Sequence, residues 1–159
     1  MGFDETERNR EIERIVAGTE LRLRRALTAS YGPVVGRDAA VDALSWAWEH
    51  WDRVQAMDNP VGYLYRVGQT ASARYLPART TDGFPAAPPP SLPEIEPELA
   101  AAVGHLSVQQ RTAVVLVHGY AMSQRETAEV MGISVSTVRE HLDRAMARLR
   151  SELEVSHEH

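Results

Sequence analysis

Between residues 136 and 144 the chain sets out Ser136, Thr137, Arg139, Glu140, His141 and Arg144, all able to exchange hydrogen bonds, interrupted by Val138 and Leu142. On a helix the two apolar residues fall on one face. Ser136, Thr137, Glu140, His141 and Arg144 then lie outward on neighbouring turns, with Arg139 at the edge. The chemistry open to such a surface is readout of base edges in a DNA major groove. There a guanidinium pairs with guanine, and a Glu can accept from cytosine N4. Glu140 and Asp143 also bring negative charge to this face, which phosphates repel. The competing reading is an ordinary helical hairpin whose polar face is merely solvated.

Other chemistries find few residues to carry them. With no cysteine, disulfides, thiolate zinc sites and cysteine nucleophiles are excluded, and a reducing cytoplasm fits. His50, His105, His118 and His141 lack the paired spacing of a metal site, and His157 and His159 sit in the terminal tail. No glycine-rich phosphate loop or nucleophile motif occurs. The sequence therefore predicts no enzyme, no cofactor and no metal. Trp46, Trp48 and Trp51 could stack on bases, although aromatic residues on a helix are more often core.

Charge limits how a groove-reading helix could be used. The formal net charge is −5. Residues 1–76 carry ten Arg against eleven acids, and residues 98–159 six Arg against eight. Neither half is a basic module, so any DNA affinity must be local or assisted. Met1 to Arg14 mixes acids and arginines without an apolar run, which predicts neither signal peptide nor membrane anchor and a cytoplasmic location.

The elements that must position this face are helical throughout. No alternating run suggests a sheet, so an all-α fold is expected. Seven of the nine prolines fall between Pro77 and Pro97, including Pro88, Pro89 and Pro90. Proline fixes φ and removes amide donors, so 77–97 reads as an extended linker joining two small helical domains, 1–76 and 98–159. In the first, Ile12, Ile15, Val16, Thr19, Leu23 and Leu27 recur at helical spacing up to a break at Tyr31-Gly32-Pro33. A second helix is expected from Asp38, as N-cap, to about Trp51, with Val41, Leu44, Trp48 and Trp51 on one face. Pro60 opens a third, whose buried stripe is Tyr63, Leu64, Val67 and Ala71.

The second domain is punctuated by two capping boxes, Ser107 with Gln110 and Ser123 with Glu126. The first helix runs through Val114, Val115 and Val117 to His118-Gly119. The second is short and stops at Gly132, where positive φ is expected. The third runs from about Val135 to Leu153 with Val138, Leu142, Ala145 and Leu149 inward. A short helix, a glycine turn and a long helix make a helix-turn-helix, with Ala128 small enough for close crossing.

The run from Leu106 to Arg111 and on through Arg139-Glu140-His141-Leu142-Asp143-Arg144-Ala145-Met146-Ala147-Arg148-Leu149-Arg150 resembles region 4 of the sigma-70 family of RNA polymerase sigma factors, especially the extracytoplasmic-function group. Asp38 to Arg74 resembles that group's region 2, closest at Trp46 to Val54 and Tyr63 to Val67. The resemblance implies a transcription initiation factor that binds RNA polymerase core, opens promoter DNA with region 2 and reads the upstream element with region 4. An anti-sigma or other regulatory protein is a further implied partner. By position, Asp38, Val41 and Asp42 fall at the polymerase contact. Tyr63, Arg66, Thr70 and Arg74 fall at the downstream element and melting surface. Ser136, Thr137, Arg139, Glu140, His141 and Arg144 fall on the upstream-reading helix. The chain departs from the family pattern at Val41, usually Gln, at Thr70, usually Asn, and in a basic cluster replaced by Pro77, Arg79 and Asp82. These departures keep a second reading open, a sigma-like regulator that binds a protein partner without melting promoters. A response-regulator output domain of the LuxR type is a third, suggested by Val138 to Leu142.

Overall fold

The structure, a computed structural model, describes residues 5–75 and 96–157. It is all helical over these residues. The first half holds α1 (Glu5–Tyr31), α2 (Pro33–Glu49), the short α3 (Trp51–Gln55) and α4 (Pro60–Ser72). The second holds α5 (Pro97–Gly104), α6 (Val108–Val114) continued by a π turn (Val115–Gly119), α7 (Gln124–Met131) and α8 (Val135–His157). Most of the expected linker lies outside the described residues. Pro97, its last residue, is the first of α5, where a missing N–H costs nothing.

In the first half α2 and α4 pack on the second half of α1. Leu23, Ala26 and Leu27 of α1, Val35, Ala39, Ala43 and Ala47 of α2, and Val61, Leu64 and Tyr65 of α4 are buried. The crossing of α1 and α2 is backbone-close at Gly36, where a Cβ would lie 2.6 Å from the Leu27 carbonyl oxygen. The second helix does not begin at Asp38. Gly32 is the N-cap and Pro33 takes the first turn, so Asp38 sits inside α2 and caps nothing. The expected apolar face of α2 is also corrected. An alanine-rich face is buried instead, because small side chains permit the close approach, and this turns Val41 and Trp48 outward at 56% and 64% exposure. His50 then breaks α2, and Trp51 opens α3.

On α1 the early apolar stripe is not core. Ile15 is exposed, and with Ile12, Val16 and Thr19 it lines a groove closed by Leu44, Trp48 and Trp51. On α4, Leu64 and Ala71 are buried as expected, but Tyr63 faces solvent and Tyr65 takes its place inside.

In the second half, the Ser107 and Gln110 capping box is complete in both directions. Ser123 accepts from the Glu126 N–H, but the Glu126 carboxylate meets the Ser123 hydroxyl rather than the backbone. Gly132 adopts φ 68°, the left-handed conformation that ends α7. Val138, Leu142, Ala145 and Leu149 are buried against α5, α6 and α7.

The halves are packed together. α1 meets α6, the π turn and α7, while α4 meets α7, and one apolar core runs through both. Polar groups pin the contact. Ser30 Oγ lies 2.6 Å from Tyr65 Oη and 2.7 Å from Thr112 Oγ1. Arg111 Nη2 donates to the Ser30 carbonyl at 2.6 Å and Nη1 to Leu106 O at 3.2 Å.

Candidate functional site

The helix-turn-helix is built by α7, the Gly132 turn and α8. Ser134 caps α8, its hydroxyl accepting from the Thr137 N–H at 3.1 Å, and the Ser136 and Thr137 hydroxyls gather on it at 3.0 and 2.8 Å. Because Val138 and Leu142 face inward, Ser136, Arg139, Glu140, Asp143 and Arg144 stand exposed together, with Thr137 and His141 half-buried at the edge. Arg139 is oriented from the neighbouring helix, its Nε donating to Gln124 Oε1 at 3.0 Å. That bond engages none of the Nη hydrogens a bidentate base contact requires. The face can present donors and acceptors to base edges, with Arg139 and Arg144 offset by Glu140 and Asp143.

A second polar face follows α4. Tyr63, Arg66 and Thr70 recur along the helix, Arg74 lies just beyond its end, and all four are exposed. Thr70 Oγ1 donates to the Arg66 carbonyl at 3.1 Å, so its hydroxyl hydrogen is already spent on backbone. Trp46 lies beside this face, tilted against Tyr63 at 5.3 Å between ring centroids and stacked on His50 at 4.3 Å. The Arg53 guanidinium sits 5.9 Å from the Trp46 ring. Trp48 stacks on Trp51 at 5.4 Å, next to the α1 groove rather than beside α4. The three tryptophans therefore belong to two separate clusters.

A third face lies on α2. Asp38, Val41 and Asp42 meet Pro33, Val34, Arg37 and Tyr75 around one shallow depression. Tyr75 Oη donates to Asp42 Oδ2, and this bond, with some desolvation and the Asp42 and Asp38 charges, raises the Tyr75 pKa. The α2 and α4 groups adjoin, since Asp42 also lines a depression with Thr70 and Arg74, while the α8 group stands on a different element.

Several residues at the junction were not singled out from sequence. Asn59 accepts from the Gly62 N–H and so caps α4, while its Nδ2 donates to the Glu129 carbonyl at 2.8 Å. A groove between α4 and the helix-turn-helix is lined by Asn59, Gly62, Tyr63 and Arg66 on one side and Glu129, Gly132 and Ile133 on the other. Arg111 is 4% exposed, and burial lowers its pKa to about 10. Desolvation likewise raises the Tyr65 pKa. Each is bonded to Ser30, far from it in sequence, a pairing for which periodicity gives no signal.

The family description "Sigma-70, region 4" matches residues 97–149, the span of α5 to most of α8. The RNA polymerase sigma-E factor of Streptomyces coelicolor is 33% identical over 129 residues, covering 76% of this chain and 73% of that protein. That of Streptomyces avermitilis is 35% identical over 130 residues, covering 77% and 73%. Among solved structures, the sigma factor RpoE of Bartonella quintana, in complex with the anti-sigma factor NepR, has a TM-score of 0.59 at 19% identity. It covers 91% of this chain and 98% of that one. CnrH, in complex with the cytosolic domain of CnrY, has a TM-score of 0.58 at 25% identity, covering 92% and 90%.

Proposed function

Since the chain belongs to the sigma-70 family of RNA polymerase sigma factors, in its extracytoplasmic-function group, we propose the following division of labour among its three exposed faces. The protein is a transcription initiation factor that directs polymerase to promoters. It works as a regulatory subunit rather than as an enzyme, and no helix of the described residues is long and apolar enough to cross a membrane. Its partners are RNA polymerase core and promoter DNA, with an anti-sigma protein as regulator.

The α8 face reads the upstream element through Arg139 and Arg144, with Ser136, Thr137, Glu140 and His141 around them. The α4 face, Tyr63, Arg66, Thr70 and Arg74, takes the downstream element, and Asp38, Val41 and Asp42 on α2 meet polymerase. The domains are 1–76 and 98–159, joined by 77–97. The observation that carries this reading is the clean separation on α8 of a buried Val138 and Leu142 face from an exposed polar one. The second half carries a formal charge of −2, from six Arg and eight acids, so alone it should hold DNA weakly. Anchoring through α2 raises its effective concentration at the promoter.

The test is capture of polymerase core by wild type and by Asp42→Arg, with circular dichroism of both. Wild type should capture core and open promoter DNA with it, while Asp42→Arg stays folded and captures none. The weakly basic surface favours one other reading, a regulator that binds a protein partner, polymerase or another regulator, without melting DNA. Core captured without open-complex formation would select it.

A further inference from the structure

Asp42 and Arg74 carry opposite charges and line one depression between α2 and α4, yet no ion pair joins them among the described residues. Arg74 is exposed and Asp42 half-buried, so no enclosing core keeps them apart. The carboxylate is occupied instead by a neutral donor, the Tyr75 hydroxyl, 2.7 Å from Asp42 Oδ2.

The way α4 ends produces this arrangement. Past Ser72 the chain tightens, with the Ala73, Arg74 and Tyr75 N–H groups donating to the Thr70, Ala71 and Ser72 carbonyls. Bonds spanning three residues wind the chain faster than an α-helix does. Arg74 stays on the side of Thr70, one turn before it, whereas the Tyr75 ring joins Arg37 and Asp38 around the neighbouring depression. Asp42 lines both depressions and so has a choice of partner. That choice is finely balanced. An exposed ion pair gains little over two hydrated charges and must immobilise a long arginine side chain. A phenol that already supplies the carboxylate with a donor leaves Arg74 still less to gain.

We infer that Tyr75 is a positioning residue for promoter binding: by holding the Asp42 carboxylate it keeps Arg74 unpaired, so that the guanidinium is free for a phosphate of the promoter strand while the acid stays on the polymerase-facing side. This rests on the proposed roles of the α2 and α4 faces. One hydrogen bond thereby keeps two adjoining, oppositely charged residues from neutralising each other. Two further charges are close enough to compete. Glu49 also lines the depression that holds Arg74, but it lies seven residues, about 10 Å, beyond Asp42 along α2. Arg37 lines the other depression and is the rival cation for Asp42.

The test is binding of the full chain to a labelled single-stranded oligonucleotide, followed by fluorescence anisotropy across a low-salt series, whose log–log slope counts phosphate contacts. Arg74→Ala should flatten the slope by up to roughly 0.7, the share of one phosphate on a single strand. Tyr75→Phe keeps the ring and removes only the hydroxyl. It should flatten the slope by the same amount, because Arg74 then turns to Asp42. In an Asp42→Asn chain the Tyr75→Phe change should do nothing, whereas in a Glu49→Gln chain it should flatten the slope as before. A role limited to holding the end of α4 in place would show in both of those chains alike. A wild-type slope in Tyr75→Phe, as when Arg37 takes the released carboxylate, overturns the inference and leaves the proposed function standing. Flattening that persists with Asp42→Asn does the same. An unchanged slope in Arg74→Ala removes Arg74 from the DNA face, and that part of the proposed function falls together with the inference.

Discussion

Tyr75 donates a 2.7 Å hydrogen bond to the Asp42 carboxylate, tying the turn beyond α4 to the outer face of α2. The bond favours the neutral phenol and raises its pKa. A group whose folded pKa is raised contributes fully below its unfolded value of about 10, and the contribution is lost as pH climbs through the raised value. Asp42→Asn should bring the Tyr75 transition back toward about 10, read by ultraviolet absorbance titration of the phenolates. Superimposable curves for wild type and variant would mean that the bond is not formed in solution.

At Gly132, φ 68° excludes β-branched residues at ordinary cost. Gly132→Val should destabilise the protein by at least about 1 kcal/mol. Because the nearest atoms to a Cβ there are at ordinary contact distance, the cost is backbone strain rather than a clash. Urea denaturation of the full chain measures it, and an unchanged midpoint would refute the turn assignment.

Charge reversal on α8 should strengthen DNA binding. Glu140 and Asp143 are both exposed on the face offered to the groove. Glu140→Lys or Asp143→Arg should tighten binding to a random duplex and steepen its salt dependence by up to roughly 0.9 in the log–log slope for each phosphate gained. Fluorescence anisotropy across a salt series gives both. Identical slopes would place this face away from DNA.

Gln124 holds Arg139 by Nε, so its removal should blur recognition without abolishing binding. Gln124→Ala is expected to reduce the ratio of specific to random duplex affinity by several-fold, within the roughly 1–3 kcal/mol that a bidentate arginine contact supplies. Affinity for random duplex should not move. Competition anisotropy against a selected upstream element reads both quantities, and an unaltered ratio would show that Arg139 needs no such support.

Much of the second half was legible because its signals are local. A capping serine acts within three residues, a glycine C-cap within one turn, and the Val138 to Leu149 stripe within a single helix. The first half was harder. Its α1 and α2 approach through Gly36 and alanines, so the larger residues Val41 and Trp48, which weigh most in any hydrophobic pattern, lie outside. Helix α5 also escaped the reading, since Pro97 resembles the end of a proline-rich stretch more than the start of a helix. The helical character of the chain and the exposed polar face of α8 could be anticipated from spacing, whereas the same spacing set Val41 and Tyr63 on apolar faces and both are exposed. That Arg111 would be buried against the Ser30 carbonyl could not, because nothing near either residue in sequence marks its partner.

Asn59 spends its side chain twice, as acceptor for the Gly62 N–H and donor to the Glu129 carbonyl. Conversion to aspartate would keep the first bond and turn the second into two oxygens facing each other. The common spontaneous route to that conversion is attack by the next residue's backbone nitrogen on the side-chain amide, closing a five-membered imide. Here the next residue is Pro60, whose nitrogen carries no hydrogen to release. The residue best placed to bridge the two halves is thus also one that slow deamidation by this route cannot wear away, so an ageing molecule keeps the bridge it was made with.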